Sequence, residues 1–294
     1  MGIRIDHMHS IYGKETDCIV GGNRSVLNLA NKCLQYLMQE ERIYSHILVS
    51  TTCPDSISPS LGQCITQYNH DRLHGSHTMD IVQGCGGGVS SMILASQLAE
   101  LNKSHTLVIA ADAAQKATSV SSDVFHVFKN GAFGCTISYT EDQKGLIHYK
   151  TCQYKDLFEV VTIRLGQDTV DMIQNNMEDF RTDPRKWLGL RMDNRLALKL
   201  MQKAERFYLE FIEKTGHPDI LILHQVNVPI IDHLQRVFEK YPVRFINRAD
   251  ETGNCGCATA GIVLDSIKDE IENKKVMICS FGTGGMIIAG LWQF

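Results

Sequence analysis

The sequence predicts an α/β protein made of two comparable halves. Short apolar runs ending in polar or glycine signals alternate with helix-period segments along the whole chain, the pattern of strands interleaved with helices. Each half carries these elements in similar order, although no residue-level repeat accompanies them. The 294 residues, 44% of them hydrophobic, are enough for two modest domains or one large layered unit.

In the first half, Val26, Ala30, Cys33, Leu34 and Leu37 recur at helical spacing, so a helix is expected over Ser25–Gln39. β-branched and apolar runs then give strands at His46–Thr52 and Met79–Gln83. A helix over Val89–Leu101 follows, and strands Thr106–Ala111 and Cys135–Tyr139 complete the half. Residues Thr151–Asn194 are irregular and polar, including Arg181, Asp183, Pro184, Arg185, Lys186 and Trp187, and read as an insertion or cap over a pocket. The second half offers helices Leu196–Lys214, Ile230–Lys240 and Ala258–Asn273. Its strands are Asp219–His224, Val243–Asn247, Val276–Phe281 and Met286–Trp292. The division expected is 1–150 and 151–294, the second part opening on the cap.

A formal net charge of −4, with charges interspersed, lacks the basic surplus of nucleic-acid binders. No stretch approaches the ~18 apolar residues of a membrane span. The start, Met1-Gly2-Ile3-Arg4-Ile5-Asp6-His7, has no apolar secretion core, and Asp6 stands where a myristoylation signal wants Ser or Thr. A cytoplasmic protein without nucleic-acid or membrane partners is expected, and its ten cysteines are expected to be reduced thiols.

Most free cysteines pack as small hydrophobes, and Cys18, Cys33, Cys53, Cys64, Cys135, Cys152 and Cys279 read that way. Cys85 differs, because in Asp80-Ile81-Val82-Gln83-Gly84-Cys85-Gly86-Gly87-Gly88-Val89 it sits between a strand and a helix. The open N-terminus of that helix favours a thiolate, and the glycines, each costing roughly 1 kcal/mol in a helix, suggest close approach by a substrate. His224 ends the run Asp219-Ile220-Leu221-Ile222-Leu223, which delivers it to the edge where open α/β sheets bind ligands. Asn254, in Thr252-Gly253-Asn254-Cys255-Gly256-Cys257-Ala258, occupies another turn opening a helix. A satisfied structural histidine or asparagine is the plainer reading of either alone.

A metal site could be assembled from His70, His74 and His77 with Cys255 and Cys257, yet Gly75 and Ser76 interrupt the helix and Cys-x-Cys lacks zinc spacing. Neither glycine cluster, Gly84–Gly88 or Gly282–Gly285, fits a nucleotide-binding pattern. No metal is expected.

Gly84-Cys85-Gly86-Gly87, His224-Gln225-Val226-Asn227, Gly253-Asn254 and Phe281-Gly282-Thr283-Gly284-Gly285 resemble, in order, four motifs of thiolase-fold condensing enzymes, most closely the β-ketoacyl-ACP synthase III group. A weaker likeness extends to Thr51-Thr52 and Phe128-Lys129-Asn130-Gly131. The resemblance implies an αβαβα layered fold of two related halves and a ping-pong acyl transfer. Cys85 would take an acyl group from a thioester, with backbone N–H groups of Cys85, Gly282 and Thr283 as the oxyanion hole. His224 and Asn254 would hold a malonyl thioester during decarboxylation, and Asn227, Phe128 and Ser58 would contact substrate. It implies no cofactor beyond coenzyme A or acyl-carrier-protein thioesters, and a homodimer or a heterodimer with a related subunit.

The chain also departs from the group. Gly2-Ile3-Arg4 resembles a tripeptide found further into typical members, or else Gly2–Ile11 is the first strand with the following loop deleted. Either way the segment that holds the adenine of coenzyme A is lacking, which favours a carrier-protein donor or an unusual thioester. Pro229 stands where the group has a docking arginine, and Ile57-Ser58-Pro59-Ser60 replaces a bulky residue that limits acyl length, implying a roomier acyl pocket. These departures suggest a specialised relative in secondary metabolism, of fatty-acid or polyketide type, more than a housekeeping fatty-acid initiator. The alternatives are acyl transfer to oxygen or nitrogen without decarboxylation, and a partner subunit with little activity of its own.

Overall fold

Among the residues described by the computed structural model, 2–39, 41–142, 144–163 and 167–294, twelve strands form two five-stranded sheets and one two-stranded ribbon. The first sheet runs β1 (Gly2–Tyr12), β5 (Asn130–Thr140), β4 (His105–Ala113), β2 (Tyr44–Ser50), β3 (His77–Ile81). The second runs β6 (Gly145–Gln153), β12 (Met286–Gln293), β11 (Lys275–Gly282), β9 (Ile220–Leu223), β10 (Arg244–Ile246). In the first, β2 lies parallel to β3 and β4, while β5 is antiparallel to β4 and β1. In the second, β9 lies parallel to β10 and β11, while β12 is antiparallel to β11 and β6. The halves therefore match strand for strand in order and direction, a repeat carried by the backbone and invisible in the residues.

Strand alternation produces the layers. Leu48 and Val108 point to one side and pack with Ile222, Ile278 and Trp292 of the other sheet around the helices Gly87–Asn102 and Thr259–Ser266. Their neighbours Ile47, Val49, Leu107 and Ile109 point outward, under the helix Ser25–Leu37. On the far side, Leu221, Leu223, Met277 and Phe281 pack under Asn194–Gln202, Ala204–Thr215 and Val228–Phe238. The result is helix, sheet, helix, sheet, helix, as expected.

Several elements differ from the sequence reading. The irregular segment holds the ribbon of β7 (Val161–Ile163) and β8 (Leu190–Met192) and short helices, and its residues 164–166 lie outside the described residues. β6 runs through residue 150 and pairs with β12, so by sheet membership the second half starts at Gly145. The helix expected over Leu196–Lys214 is two, parted at Lys203, and that over Ala258–Asn273 closes at Ser266. Among the described residues no helix is long and apolar enough to cross a membrane.

Candidate active site

Beyond β3, the chain makes a tight turn over Gly84–Gly86 and enters the central helix Gly87–Asn102, with Cys85 in the turn. Gly84 adopts φ +55°, a region open to glycine, and a Cβ there would overlap the Thr283 side chain. A Cβ on Gly88 would overlap the carbonyl oxygen of Cys257. The glycines thus let the nucleophile turn pack against the second half, a reason for them that the sequence reading did not offer. Ser280 Oγ closes the contact by donating to the Cys85 carbonyl at 2.8 Å.

Cys85 is buried, and its thiol is pushed up to about 12, first by desolvation and then by the Asp112 carboxylate, with only a backbone hydrogen bond opposing. The expectation of a thiolate stabilised by the helix start is therefore corrected for the resting protein.

His224 leaves the end of β9, its backbone N–H donating to Cys279 O at 2.9 Å. Both ring nitrogens are buried, and the Asn254 side chain stands near enough to act on the ring without forming a well-aligned hydrogen bond. Desolvation lowers the imidazole to about 4 against a smaller opposing effect of nearby Asn254, so the ring is neutral at pH 7. Asn254 is tied down by backbone bonds at 2.8 Å from Lys129 N and 3.3 Å to Val127 O. Its Oδ1 accepts from Gly256 N–H at 3.0 Å, which leaves Nδ2 as its remaining donor.

Cys85, His224, Asn254, Phe128 and Gly282 line one cavity. It is small, about 20 Å³, room for a single water. Phe128 is fully buried and bridges to Asn254 through the backbone. Thr283 lies one residue beyond the lining, against Gly84. Two sequence candidates are not brought here. Asn227 Oδ1 accepts from Ile230 N–H at 2.9 Å and caps the helix Val228–Phe238, a role its position before a helix start favours. Ser58 is exposed in the loop before helix Leu61–Tyr68 and does not line the cavity of its own chain.

Other lining residues went unread in the sequence. Val160, Val161 and Met192 come from the irregular segment, which does cover the site, and Met201 comes from the helix Asn194–Gln202. The apolar pair Val160-Val161 inside a polar stretch was the available signal. Met201 also borders an apolar groove of about 390 Å³ between that helix and Val228–Phe238, lined by Leu198, Pro229 and Ile230. Met201 is the residue the two linings share. Of the histidines considered for metal, His70 stacks on His74 and His77 faces His46. Among the described residues no group of three or more His, Cys, Asp or Glu gathers as ligands.

Residues 197–294 match the family model of the 3-oxoacyl-[acyl-carrier-protein] synthase III C terminal. Over 284 residues the chain is 25% identical to β-ketoacyl-[acyl-carrier-protein] synthase III of Prochlorococcus marinus (strain NATL2A), covering 90% of this chain and 81% of that one. A solved 3-oxoacyl-(acyl-carrier-protein) synthase III superposes with a TM-score of 0.83 at 15% identity, covering 100% of both chains. The priming β-ketosynthase of the R1128 polyketide biosynthetic pathway does so with 0.77 at 16% identity, covering 99% of this chain and 96% of that one. The fold is thiolase-like.

Proposed function

We propose that this β-ketoacyl-ACP synthase III-like chain joins a Cys85-bound acyl group to the carbanion formed when a malonyl thioester loses carbon dioxide. The supporting observation is the convergence of Cys85 and His224, beyond two strand ends, and Asn254, in the turn after the helix Ala249–Thr252, on one buried cavity beside Gly282. In the first half-reaction the Cys85 sulfur bonds to the thioester carbonyl carbon, the carrier sulfur leaves, and the thiol proton ends on the carrier. Backbone N–H groups of Cys85, Gly282 and Thr283 are assigned to the tetrahedral oxyanion.

In the second half-reaction the bond to the malonyl carboxylate breaks and its electron pair passes into the thioester enolate. A neutral His224 with a buried ring N–H, beside Asn254 Nδ2, supplies two uncharged donors for that oxygen. The enolate carbon then bonds to the acyl carbon and Cys85 leaves as the thiolate, which is reprotonated. A resting thiolate–imidazolium pair is disfavoured, because burial raises the thiol and lowers the imidazole. Neither half-reaction calls on a metal or a redox cofactor.

The groove beyond Met201 is assigned to the pantetheine arm of a coenzyme A or carrier-protein thioester. Pro229 at its rim, in place of a docking arginine, supports a specialised pathway over housekeeping fatty-acid initiation. A second copy is assigned to the open edge of β3, near exposed Val82 and Ile57, which would bring Ser58 towards a neighbour's site.

The test is intact-mass screening against acyl-CoA and acyl-carrier donors, then addition of malonyl thioesters with detection of carbon dioxide and the β-ketoacyl product. Cys85→Ala should abolish loading, whereas His224→Ala and Asn254→Ala should load and release no carbon dioxide. Loading without carbon dioxide from any malonyl thioester would sink condensation and favour plain acyl transfer.

A further inference from the structure

Asp112, near the end of β4, is fully buried. Its Oδ1 accepts from Thr51 Oγ1 at 2.9 Å, from the backbone N–H groups of Thr52 at 2.6 Å and Cys53 at 3.2 Å, and from the Cys53 thiol at 3.3 Å. Its Oδ2 accepts from the backbone N–H of Cys257 at 2.7 Å. These donors are neutral, so the charge is solvated by hydrogen bonds. They also come from both halves: Thr51–Cys53 follow β2, whereas Cys257 lies in the turn just after Asn254. Gly256, at φ +57°, leaves no room for a Cβ against Oδ2, and its N–H holds Asn254 Oδ1.

We infer that Asp112 is a positioning residue for the proposed condensation: through Cys257 and Gly256 it aims Asn254 Nδ2 at the cavity, and through the same Cys257, whose carbonyl packs on Gly88 of the nucleophile helix, its carboxylate is held behind Cys85. The inference rests on the condensation reading for the first role and stands apart from it for the second. Asp112 also raises the thiols of Cys53, Cys255 and Cys257, the other titratable groups around it. Lys129 acts oppositely on Cys255, and His224 across the cavity is neutral. The same carboxylate thus opposes a resting Cys85 thiolate and holds the donor needed in the next half-reaction.

Asp112→Asn keeps the shape, removes the charge and turns one acceptor into a donor facing an N–H. Iodoacetamide labelling of Cys85, followed by peptide mass against pH, should run about tenfold faster at a fixed pH, the effect of a one-unit fall. Carbon dioxide release per loaded Cys85 should fall about tenfold or more, the loss of one charge-assisted hydrogen bond. Thr51→Val leaves the charge and removes one donor that solvates it, so labelling of Cys85 should slow, the opposite direction. An unchanged profile in Asp112→Asn with only a lower Tm overturns the inference and makes Asp112 a brace. If that variant does not fold, Thr51→Val decides, slower labelling supporting the inference and unchanged or faster labelling overturning it. Because labelling uses no malonyl thioester, a wild type that releases no carbon dioxide removes the condensation reading while leaving the charge effect measurable.

Discussion

At the residue scale, His224 fixes an acid limit on the folded state. Its imidazole titrates near 4 when buried and near 6.5 in the unfolded chain, so below pH 6.5 the unfolded state takes up a proton that the folded state refuses. Stability from this group is complete above pH 6.5 and is lost as pH falls towards 4, reaching about 3 kcal/mol. Measured Tm should therefore drop more steeply between pH 7 and pH 5 in the wild type than in His224→Asn; parallel curves would show that the ring is not buried neutral. Cys85 gives a second outcome: exposed Cys18 should be alkylated well before it, while an acyl thioester loads Cys85 and leaves Cys18 untouched, as peptide mapping of both adducts would report. Cys85 and His224 were readable because each follows a strand pattern at a glycine or polar signal, and Asn254 because it sits among small residues in a turn opening a helix. Asn227 misled because its place just before Val228-Pro229, a helix-start signal, was read for substrate instead of for the cap it forms on Ile230 N–H.

At the scale of elements, the glycines of the nucleophile turn are contacts between halves. Gly88→Ala adds a better helix former, worth up to about 1 kcal/mol, yet its Cβ would press on the Cys257 carbonyl, and overpacking costs about 1–3 kcal/mol. The net expectation is a lower Tm and slower acyl loading, against Gly22→Ala as a control where a Cβ meets nothing within 4 Å. A Gly88→Ala protein as stable and as fast as wild type would show that the helices move apart without cost. Four strands lie outside the sequence list, and the two of them that complete the large sheets, β1, read there only as the alternative Gly2–Ile11, and β6, have physical reasons. In β1 the register slips between Asp6 and Met8, with His7 at φ +37°, so the alternation that buries Ile3 and Ile5 is broken midway. In β6 the half-buried face is Leu146, His148, Lys150 and Cys152, whereas Ile147 and Tyr149 face solvent, so burial alternates without a matching chemical pattern.

For the whole molecule, the mirrored sheets share one interior, and this bears on how the chain unfolds. Trp292, on β12 of the second sheet, is fully buried, and its Nε1 donates to Ser96 Oγ at 3.1 Å on the central helix of the first half. With Ser280 on Cys85 and Cys257 on Asp112, polar ties cross the junction where the largest apolar cluster also draws on both sheets. Neither half could keep its inner face covered alone, so a single cooperative transition is expected although the chain is far longer than most two-state proteins. Trp187, in the covering segment, is the other of the two tryptophans, and its Nε1 has no partner to lose. In Trp187→Phe, fluorescence therefore reports Trp292 alone, and its thermal transition should coincide with that of far-UV circular dichroism. Trp292→Ala should lower that shared transition, with a large-to-small cost of about 3–5 kcal/mol, and should not split it. Two separated transitions in either variant would mean that the halves hold independent cores and that the site at their junction can open while each sheet stays folded.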